Sequence, residues 1–352
     1  MPRRRWPLAA GLAAGVALDA LLGDPRRHHP VAAFGRAAAA LEARDYKDDK
    51  LRGAVHATAC VLAVTVPAVL MSKQKSQIKH AAAVALTTWA VTGARSLHQE
   101  AERIMAHLAG HDLQAARQAL PGLCGRDPAN LDATEITRAV IESVAENTSD
   151  AIVAPLLWGA AAGLPGLTAY RAINTMDAMI GYRSDRYEDF GWASARLDDL
   201  ANYVPARVTA ALTIACARAG TRTADTRTAS KKTADTRTVP LPGTSAQSPP
   251  AEGHLEVGAA RSALRAVIRY GSRHPSPNAG QCEAAFAGAL GLRLGGTNVY
   301  DGVTEERPSL GDGRAPGPGD IARAVRLSRA VTGAAAALAV LIAVTRGERK
   351  SR

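Results

Sequence analysis

The sequence predicts a mainly α-helical, polytopic membrane protein, in which amphipathic and re-entrant helices and polar loops form one site. Three observations predict this class. The chain of 352 residues is 47% hydrophobic, which excludes a wholly disordered protein. Only 4% of its residues are aromatic and it is rich in alanine, whereas strands favour β-branched and aromatic side chains. Its apolar residues are concentrated in six runs, some close to the length that crosses a bilayer.

The charge of the chain is strongly basic, with 43 Lys and Arg residues against 32 Asp and Glu residues and a formal net charge of +11. Such an excess suits nucleic acid, an anionic membrane surface or an anionic substrate. Because aromatic residues are scarce and no nucleic-acid-binding motif is present, we expect no nucleic-acid partner. Four widely separated cysteines without a CxxC pair predict neither a disulfide framework nor a zinc site.

Six apolar runs are predicted to be helices. In chain order they are Trp6–Leu22, Ala54–Met71, Ala81–Gly93, Ala151–Tyr170, Val204–Ala219 and Ala330–Thr345. The first resembles a signal peptide, but no small-residue cleavage site follows it, so we interpret it as a retained anchor. The second is about 27 Å long as a helix, close to the ~30 Å hydrocarbon core of a bilayer. The alternative is that the runs are buried helices of a soluble bundle. Between them, His98–Gln118 is predicted to be one amphipathic, solvent-facing helix.

A low-complexity segment divides the chain into two parts. Thr223–Thr228 and Thr233–Thr238 both read TADTRT, and a Pro/Ser-rich stretch follows them. Such a segment buries too little apolar surface to offset its ordering entropy. We therefore predict an N-terminal membrane-helical part at 1–220, a disordered linker at 221–256, and a C-terminal part at 257–352 that ends in the last membrane helix.

Three acidic residues recur at helical spacing just before the fourth apolar run. Glu142, Glu146 and Asp150 are four residues apart, which places them on one face of a helix. Like charges at this spacing repel one another, and a hard divalent cation such as Mg²⁺ would compensate them. The alternative is a solvated acidic face with basic partners elsewhere.

Two further polar groups follow that run. Arg171, Asn174 and Asp177 repeat at three-residue intervals, and the chain's densest mixture of aromatic, arginine and carboxylate residues extends from there to Arg207. It is interpreted as a polar pocket at the membrane face, where arginines suit bidentate contact with phosphate; an ion-paired surface is the alternative. In the segment His274–Gly280, HPSPNAG, the prolines predict a rigid turn that presents His274 and Asn278. The alternative is a simple connector.

These segments together resemble the adenosylcobinamide-phosphate synthase family of cobalamin biosynthesis, the CobD/CbiB type. The matching sequences are LGDPRRHHPVAAFGR at Leu22–Arg36, ESVAENTSDAIVAPLLW at Glu142–Trp158, the segment Ala169–Ala210, and HPSPNAG with AAFAGALGLRLGG within His274–Gly296. They occur in the family's order over most of the chain outside the linker. Departures from the family's pattern are Ala151, the pair Gln281-Cys282 and an insertion at Thr221–Glu252.

The resemblance implies an integral membrane enzyme that joins adenosylcobyric acid to aminopropanol or aminopropanol phosphate through an amide, with ATP and Mg²⁺. Condensation of a carboxylate with an ammonium group in water is unfavourable, so the acid must be activated, with an acyl phosphate as the expected intermediate. The amine, with a reference pKa near ~10.4, must lose its proton before it attacks. The reaction therefore needs metal-binding carboxylates, phosphate-binding arginines and a base.

We assign these roles to individual residues from their residue type. The carboxylates of Glu142, Glu146 and Asp177 are expected to bind Mg²⁺, and His274 is the candidate base with Asp199 as its rival. The expected phosphate-binding residues are Arg183, Arg196 and Arg207, and the expected substrate-orienting residues are Asn147, Asn174 and Asn278.

Membrane topology constrains this site. If every apolar run crossed the bilayer, Arg171–Asn202 would face the opposite side from Glu142–Asp150 and from His274. One active site cannot lie on both sides, so we expect Ala151–Tyr170, which its Pro and Gly residues interrupt, to be re-entrant.

Other function classes remain open from the sequence. Charged residues within the membrane also mark a polytopic transporter or a sensor of an anionic ligand, and a soluble helical enzyme is a third reading. The expected location is the cell membrane, with several crossings and a cytoplasmic active site. The oligomeric state, the phosphorylation of the amine donor and the orientation of the chain are not predicted.

Overall fold

The computed structural model describes residues 6–25, 29–182, 184–234, 258–300 and 303–348, and within them the fold is mainly helical, which confirms the predicted class at that level. The helices are α1 Trp6–Leu22, α2 Pro30–Asp45, α3 Lys50–Ser72, α4 Gln77–Val91, α5 Ala94–Ala109, α6 Leu113–Ala119, α7 Ala133–Thr148, α8 Ala154–Ala162, α9 Leu164–Ile180, α10 Trp192–Ala234, α11 Ala259–Tyr270, α12 Ala279–Leu290 and α13 Gly319–Glu348. A short 3₁₀ helix, Leu120–Gly122, and a π-helical turn, Ser149–Val153, complete the helical elements, and one hairpin pairs β1 Leu294–Tyr300 with β2 Val303–Leu310.

Several helices begin at side chains that cap their free N–H groups. Asp49 accepts from the Arg52 amide at the start of α3, and Ser76 and Asp112 cap α4 and α6 in the same way. At α7 the cap is reciprocal: Asp132 accepts from the Glu135 amide, and the Glu135 carboxylate accepts from the Asp132 amide. Such caps typically contribute about 1 kcal/mol each, so these starts are set by local sequence.

The core forms around α13, which packs against α1, α5, α7, α8 and α10. Its buried side chains include Ile321, Val325 and Val331, and they belong to one apolar cluster that extends from Ala9 in α1 to Ala343. This cluster contains residues from both parts of the chain that flank the predicted linker. The described parts of the chain therefore pack around a shared core.

The predicted apolar runs coincide with helices. Trp6–Leu22 is α1 without change, and Ala54–Met71 lies within α3, Ala81–Gly93 overlaps α4, and Ala330–Thr345 lies within α13. Within the described residues, α3 and the segment Gly319–Thr345 of α13 are long and apolar enough to cross a membrane, with mean hydropathies of 2.0 and 1.9. Several large apolar side chains of α3, among them Leu62, Val66 and Leu70, are exposed. The length and hydropathy of these two helices give weak support for membrane association.

The helices α1 and α4 approach each other closely because α1 carries two glycines one turn apart. A Cβ atom at Gly11 would lie 2.6 Å from the Cβ atom of Val84, and one at Gly15 would meet Thr88 still more closely. Gly11 and Gly15 form a GxxxG pair, which allows helices to approach each other where no hydrophobic effect drives their association. The contact therefore depends on the missing side chains.

The apolar run Ala151–Tyr170 folds back on itself. The π-helical turn leads into α8, the chain reverses at Gly163 with φ +68°, and α9 returns along α8. The Tyr170 hydroxyl lies 3.1 Å from the carbonyl oxygen of Asp150, so the two ends of the run meet. This is the backbone path that a re-entrant segment requires; its position in a bilayer stays a prediction.

One sequence expectation is wrong, and another lies partly outside the described residues. The predicted single helix His98–Gln118 is wrong: α5 ends at Ala109, and His111 adopts φ +58° before α6 begins at Leu113. The segment 221–234 of the predicted linker continues α10, whereas 235–256 lie outside the described residues. The linker as a whole stays a prediction.

The β-hairpin was not predicted. Its strands pair antiparallel, with Thr297 opposite Glu306, and the register is interrupted at Gly295. The strands carry glycine and charged residues in place of a repeated apolar alternation, so they give little strand signal. The hairpin is instead held from outside: Arg138 of α7 donates to the carbonyl oxygens of Gly295 (2.6 Å) and Thr297 (2.8 Å).

The α1–α4 contact generates a prediction about stability. Replacement of Gly15 by Val should destabilise the protein by about 1–3 kcal/mol, because the new methyl groups overlap Thr88 and force the two helices apart. The measurement is the thermal unfolding midpoint of the detergent-purified protein. Gly333→Val is the matched control, since a Cβ atom at this helical glycine meets nothing within 4 Å. Equal midpoints for the two variants would show that close helix contact is not required.

Candidate active site

A cavity of about 640 Å³ lies where α7, the π-helical turn, α9 and α10 meet the turn before α12 and strand β2. Eight carboxylates line it, of which five lie on α7, the π-helical turn, α9 and α10: Glu146, Asp150, Asp177, Asp198 and Asp199. Pro275–Asn278 of the HPSPNAG turn and Glu305–Arg307 of the hairpin form another wall. Segments that are far apart in sequence thus converge on one polar space.

Three of the five carboxylates on the helices and the π-helical turn have no partner within the described residues. The side chains of Glu146, Asp150 and Asp177 neither accept a hydrogen bond nor form an ion pair there. Asp198, by contrast, accepts from Asn174 (3.3 Å) and from Asn202 (2.9 Å). The cavity therefore presents carboxylate oxygens that are available to a ligand.

The carboxyl groups of the cavity have raised pKa values because they are buried close to one another. The deep position of the cavity raises the pKa of Glu146, and the neighbouring Asp198 raises it further, against the opposing effect of Arg307. Burial, together with Asp198, raises the pKa of Asp177 to about 7. Burial also raises the pKa of Asp198 to about 6, although Asn202 and Asn174 oppose this through their hydrogen bonds. A cation that entered the cavity would relieve this repulsion.

The donor set fits Mg²⁺ held partly by a substrate. Mg²⁺ prefers oxygen ligands and usually takes one or two carboxylates together with substrate phosphates. No three His, Cys, Asp or Glu side chains of the described residues are arranged to form a metal site on their own. Of the predicted metal ligands, Glu146 and Asp177 face the cavity, and Asp150 and Asp198 join them there.

Glu142, the third predicted metal ligand, has a different place. One carboxylate oxygen accepts from Arg126 (2.6 Å) and the other from the backbone N–H of Gly295 (2.7 Å), and the side chain is buried. Arg138 lies 3.7 Å from the same carboxylate. Because these donors occupy both oxygens, Glu142 joins α7 to the hairpin, and we remove it from the proposed metal ligands.

His274, the candidate base, lies behind the cavity wall. It is buried, and its Nε2 accepts from Arg307 (2.7 Å), while its Nδ1 lies 3.0 Å from the backbone nitrogen and 3.3 Å from the carbonyl oxygen of Ser276. Burial and the Arg307 charge lower the pKa of His274. The imidazole lines a small cavity of about 50 Å³, together with Glu146 and Arg307, and not the large one. This geometry favours a role in positioning Arg307.

Asp199, the rival base, lines the large cavity. Burial raises its pKa, and Arg196, whose Nη1 lies 3.5 Å from the Asp199 carboxylate, opposes this. Arg196 also lines the cavity and is well exposed, so it is available to an anionic group. Of the two base candidates, only Asp199 therefore lies where a substrate amine could reach it.

Arg207 and Asn278, predicted to contact phosphate and substrate, are instead bonded to each other. Arg207 donates to the Asn278 side-chain oxygen (3.1 Å) and to the carbonyl oxygen of Tyr203 (2.8 Å), and it stacks 3.5 Å from the centre of the Tyr203 ring. The Asn278 amide donates to the Asp199 carbonyl oxygen (2.8 Å). These contacts fix the HPSPNAG turn on α10.

The remaining predicted asparagines also bond to protein. Asn147 donates to the carbonyl oxygen (3.0 Å) and the hydroxyl (3.1 Å) of Ser143 in its own helix, and it does not line the cavity. Asn174 donates to Asp198 and thereby orients a lining carboxylate. Both amides thus bond to protein groups around the site, and their contact with substrate stays a prediction.

Arg183 lies outside the described residues, but the loop around it is held firmly. Arg186 donates to Glu42 of α2 (2.9 Å), and the Tyr187 hydroxyl donates to the same carboxylate (2.9 Å). At Gly53 of α3, a Cβ atom would overlap the carbonyl oxygen of Phe190, so helix and loop are in close contact. Tyr187 itself lines the cavity, which places this loop at its edge.

Sequence reasoning did not assign Asp150, Asp198 or Arg307 to the site. Asp150 continues the spacing of Glu142 and Glu146, and Asp198 precedes Asp199, so both carried a signal. Arg307 enters the cavity on the unpredicted hairpin. There it is paired with Glu305 (3.0 Å) as well as with His274.

Comparison with known proteins shows extensive similarity. A family model described as "CobD/Cbib protein" matches residues 12–328. "Cobalamin biosynthesis protein CobD" of Mycobacterium tuberculosis (strain CDC 1551 / Oshkosh) is 48% identical over 338 residues, 96% of each chain. Proteins of the same name are 40% identical in Geobacter metallireducens, over 86% of each chain, and 37% identical in Rhodobacter capsulatus, over 91% of this chain and 93% of the relative. No solved structure matches the chain.

The two neighbouring glutamates of α7 should respond differently to the same substitution. Glu142→Gln should destabilise the protein by about 3–5 kcal/mol, because it removes the buried carboxylate charge that lies beside Arg126 and Arg138. Glu146→Gln should leave stability unchanged or raise it, because it removes repulsion within the acidic cavity. Chemical or thermal unfolding in detergent measures both. A Glu146→Gln variant as unstable as Glu142→Gln would contradict the division of roles.

The raised pKa of Asp177 predicts a pH dependence. Its pKa is 3.8 ordinarily and about 7 when folded, so the folded state holds the proton more tightly, and stability is lost as pH rises from about 4 through 7. Asp177→Asn should therefore gain stability relative to the wild type across this window, by roughly 1–3 kcal/mol after allowance for solvent in the cavity.

The measurement is the unfolding free energy of both proteins at pH 4 to 8 without divalent cations. Taking the difference between them cancels the contribution of His98 and His274, whose lowered pKa values act in the opposite direction. Added Mg²⁺ should narrow the difference at pH 8. A difference that is constant with pH would show that Asp177 is not protonated near neutrality.

Proposed function

The chain belongs to the CobD/Cbib protein family of cobalamin biosynthesis, and we propose that it is an adenosylcobinamide-phosphate synthase. The proposed reaction is ATP-dependent formation of an amide between adenosylcobyric acid and aminopropanol or its phosphate. The observation that carries the proposal is the convergence of the family-like segments on one cavity: Glu146, the α9–α10 residues and the HPSPNAG turn all line it. The cavity's volume lies within the range typical of small-molecule sites.

The carboxylates that face the cavity are proposed to hold Mg²⁺. Glu146 and Asp177, with Asp150 and Asp198 beside them, would contribute one or two protein ligands, and phosphate oxygens of ATP would complete the set. When bound, the metal would neutralise negative charge on the transferred phosphoryl group. This assignment keeps two of the three ligands expected from the sequence and replaces Glu142.

Arginines on opposite walls are proposed to bind the phosphates. Arg196 of α10 is exposed to the cavity, and Arg307 of β2 is oriented by His274 and Glu305. A guanidinium group offers parallel N–H donors that match a phosphate. Arg307 therefore joins Arg196 in the role first expected of Arg183, Arg196 and Arg207.

Asp199 is proposed as the base that accepts the proton of the substrate ammonium group. Burial raises its pKa, which makes its carboxylate a stronger base than an exposed aspartate. The backbone of the same residue accepts from Asn278 (2.8 Å), which fixes its position against the HPSPNAG turn. Loss of the proton leaves a neutral amine that can attack the activated carboxyl group.

The proposed location is the cell membrane, with several crossings and a cytoplasmic active site. Two described helices, α3 and α13, support it by their length and apolar composition. The doubled-back run Ala151–Tyr170 would be re-entrant, so that its two polar ends lie on one side. A membrane location is compatible with a corrinoid substrate that reaches the cavity from the aqueous phase.

The experiment supplies purified protein with adenosylcobyric acid, aminopropanol phosphate and Mg-ATP and determines the mass of the corrinoid product. The wild type should form the amide with stoichiometric ATP consumption, and Glu146→Gln and Asp177→Asn should lower the rate by at least about a hundredfold, the scale of a lost electrostatic contact in a transition state. Glu102→Gln, which removes a surface carboxylate paired with Arg329, is the matched control and should remain active.

Two results would contradict the proposal. Glu146→Gln with native activity would remove the acidic cavity from the reaction. A folded wild-type protein that binds corrinoid yet forms no amide under these conditions would instead favour the transporter or sensor alternative, which needs no coupling of ATP to product.

A further inference from the structure

A second cavity of about 340 Å³ lies between α2, α3, α4 and α9, apart from the acidic one. Its lining is mainly apolar and includes Phe34, Val64 and Leu86. Arg171 of α9 is the one charged residue among the lining residues described. An arginine in an apolar groove requires an explanation, because a charge removed from water is costly unless it is paired.

Arg171 has no such pairing in the described part of the chain. No hydrogen bond or ion pair there involves its guanidinium group, and its Nε is buried without a partner. Asp24 and Asp150 contribute attraction only from beyond ion-pair distance. This side chain is only partly exposed, so an anion delivered into the groove would supply the missing partner for its charge.

The shape of the groove defines what carries that anion. A free phosphate would satisfy Arg171 but leave the apolar walls of α3 and α4 in contact with water. One of these walls is α3, which is long and apolar enough to cross a membrane, and Leu86 of α4 exposes an apolar side chain in the groove. A ligand with a phosphate at one end and hydrocarbon at the other fits both features.

We propose that this groove binds one anionic phospholipid of the surrounding bilayer, with its phosphate on Arg171 and an acyl chain between α3 and α4. This inference rests on the proposed membrane location but not on the proposed reaction. Arg171 lies on α9, the helix that carries Asn174 and Asp177. The bound lipid would therefore brace the helix that presents the acidic cavity with Asp177.

The test is native mass spectrometry of the full chain in detergent, titrated with dioleoylphosphatidylglycerol. The wild type should retain one lipid, and Arg171→Gln should bind it at least about tenfold more weakly, because the charge-assisted contact is lost. Ala90→Phe, which fills the groove and keeps the arginine, should weaken binding to a similar extent. Arg103→Gln, an exposed arginine on α5, is the matched control and should bind as the wild type does.

Two further probes separate the parts of the ligand. Dioleoylglycerol, which has the same acyl chains without phosphate, should bind weakly and equally to the wild type and Arg171→Gln. Inorganic phosphate at millimolar concentration should not displace the lipid. Unchanged lipid retention by Ala90→Phe, or by a folded Arg171→Gln, would overturn the proposal, as would displacement by phosphate alone. Amide formation, measured separately, would remain intact in that event, so failure here does not count against the reaction.

Discussion

The site depends on the reversal of the chain between Asp150 and Tyr170. The apolar run turns at Gly163, and α9 returns along α8. This return brings the acidic residue Glu146 of α7 close to those of α9 and α10, so that they line one cavity. The contact between the Tyr170 hydroxyl and the Asp150 carbonyl oxygen joins the two ends, and the same hydroxyl lies 2.8 Å from the Asn202 side chain. A run that crossed straight through would separate these groups by the thickness of a bilayer.

One helix face serves two purposes. Glu142 and Glu146 are one turn apart, yet Glu142 is neutralised by Arg126 and by the hairpin, whereas Glu146 faces the acidic cavity without a hydrogen-bonding partner among the described residues. The hydrogen bond from the backbone N–H of Gly295 to Glu142 attaches the hairpin, and the attached hairpin brings Arg307 to the cavity. The two glutamates therefore have different roles because their surroundings differ: Glu142 supports the fold, and Glu146 faces the cavity.

The sequence predicted what depends on local pattern. Apolar run length located α1, α3 and α13, and helical spacing placed Glu142, Glu146 and Asp150 on one face of a helix. The resemblance, together with residue type, implied that Glu146, Asp177 and Asp199 share one site. It could not predict the hairpin, whose strands lack apolar alternation, or the roles of Glu142 and His274, whose partners Arg126 and Arg307 are identified only by the fold. A carboxylate or an imidazole indicates possible chemistry, but its neighbours decide whether it serves as ligand, base or support.

The most direct measurement of the reversal is the sidedness of labelling by a membrane-impermeant maleimide in oriented vesicles. Glu146→Cys, on α7 before the apolar run, and Glu188→Cys, between the run and α10, both line the acidic cavity, and both positions are exposed. The account predicts that both cysteines react from the same side of the membrane. Reaction from opposite sides would contradict it, since the segments on either side of the apolar run could then not form one site.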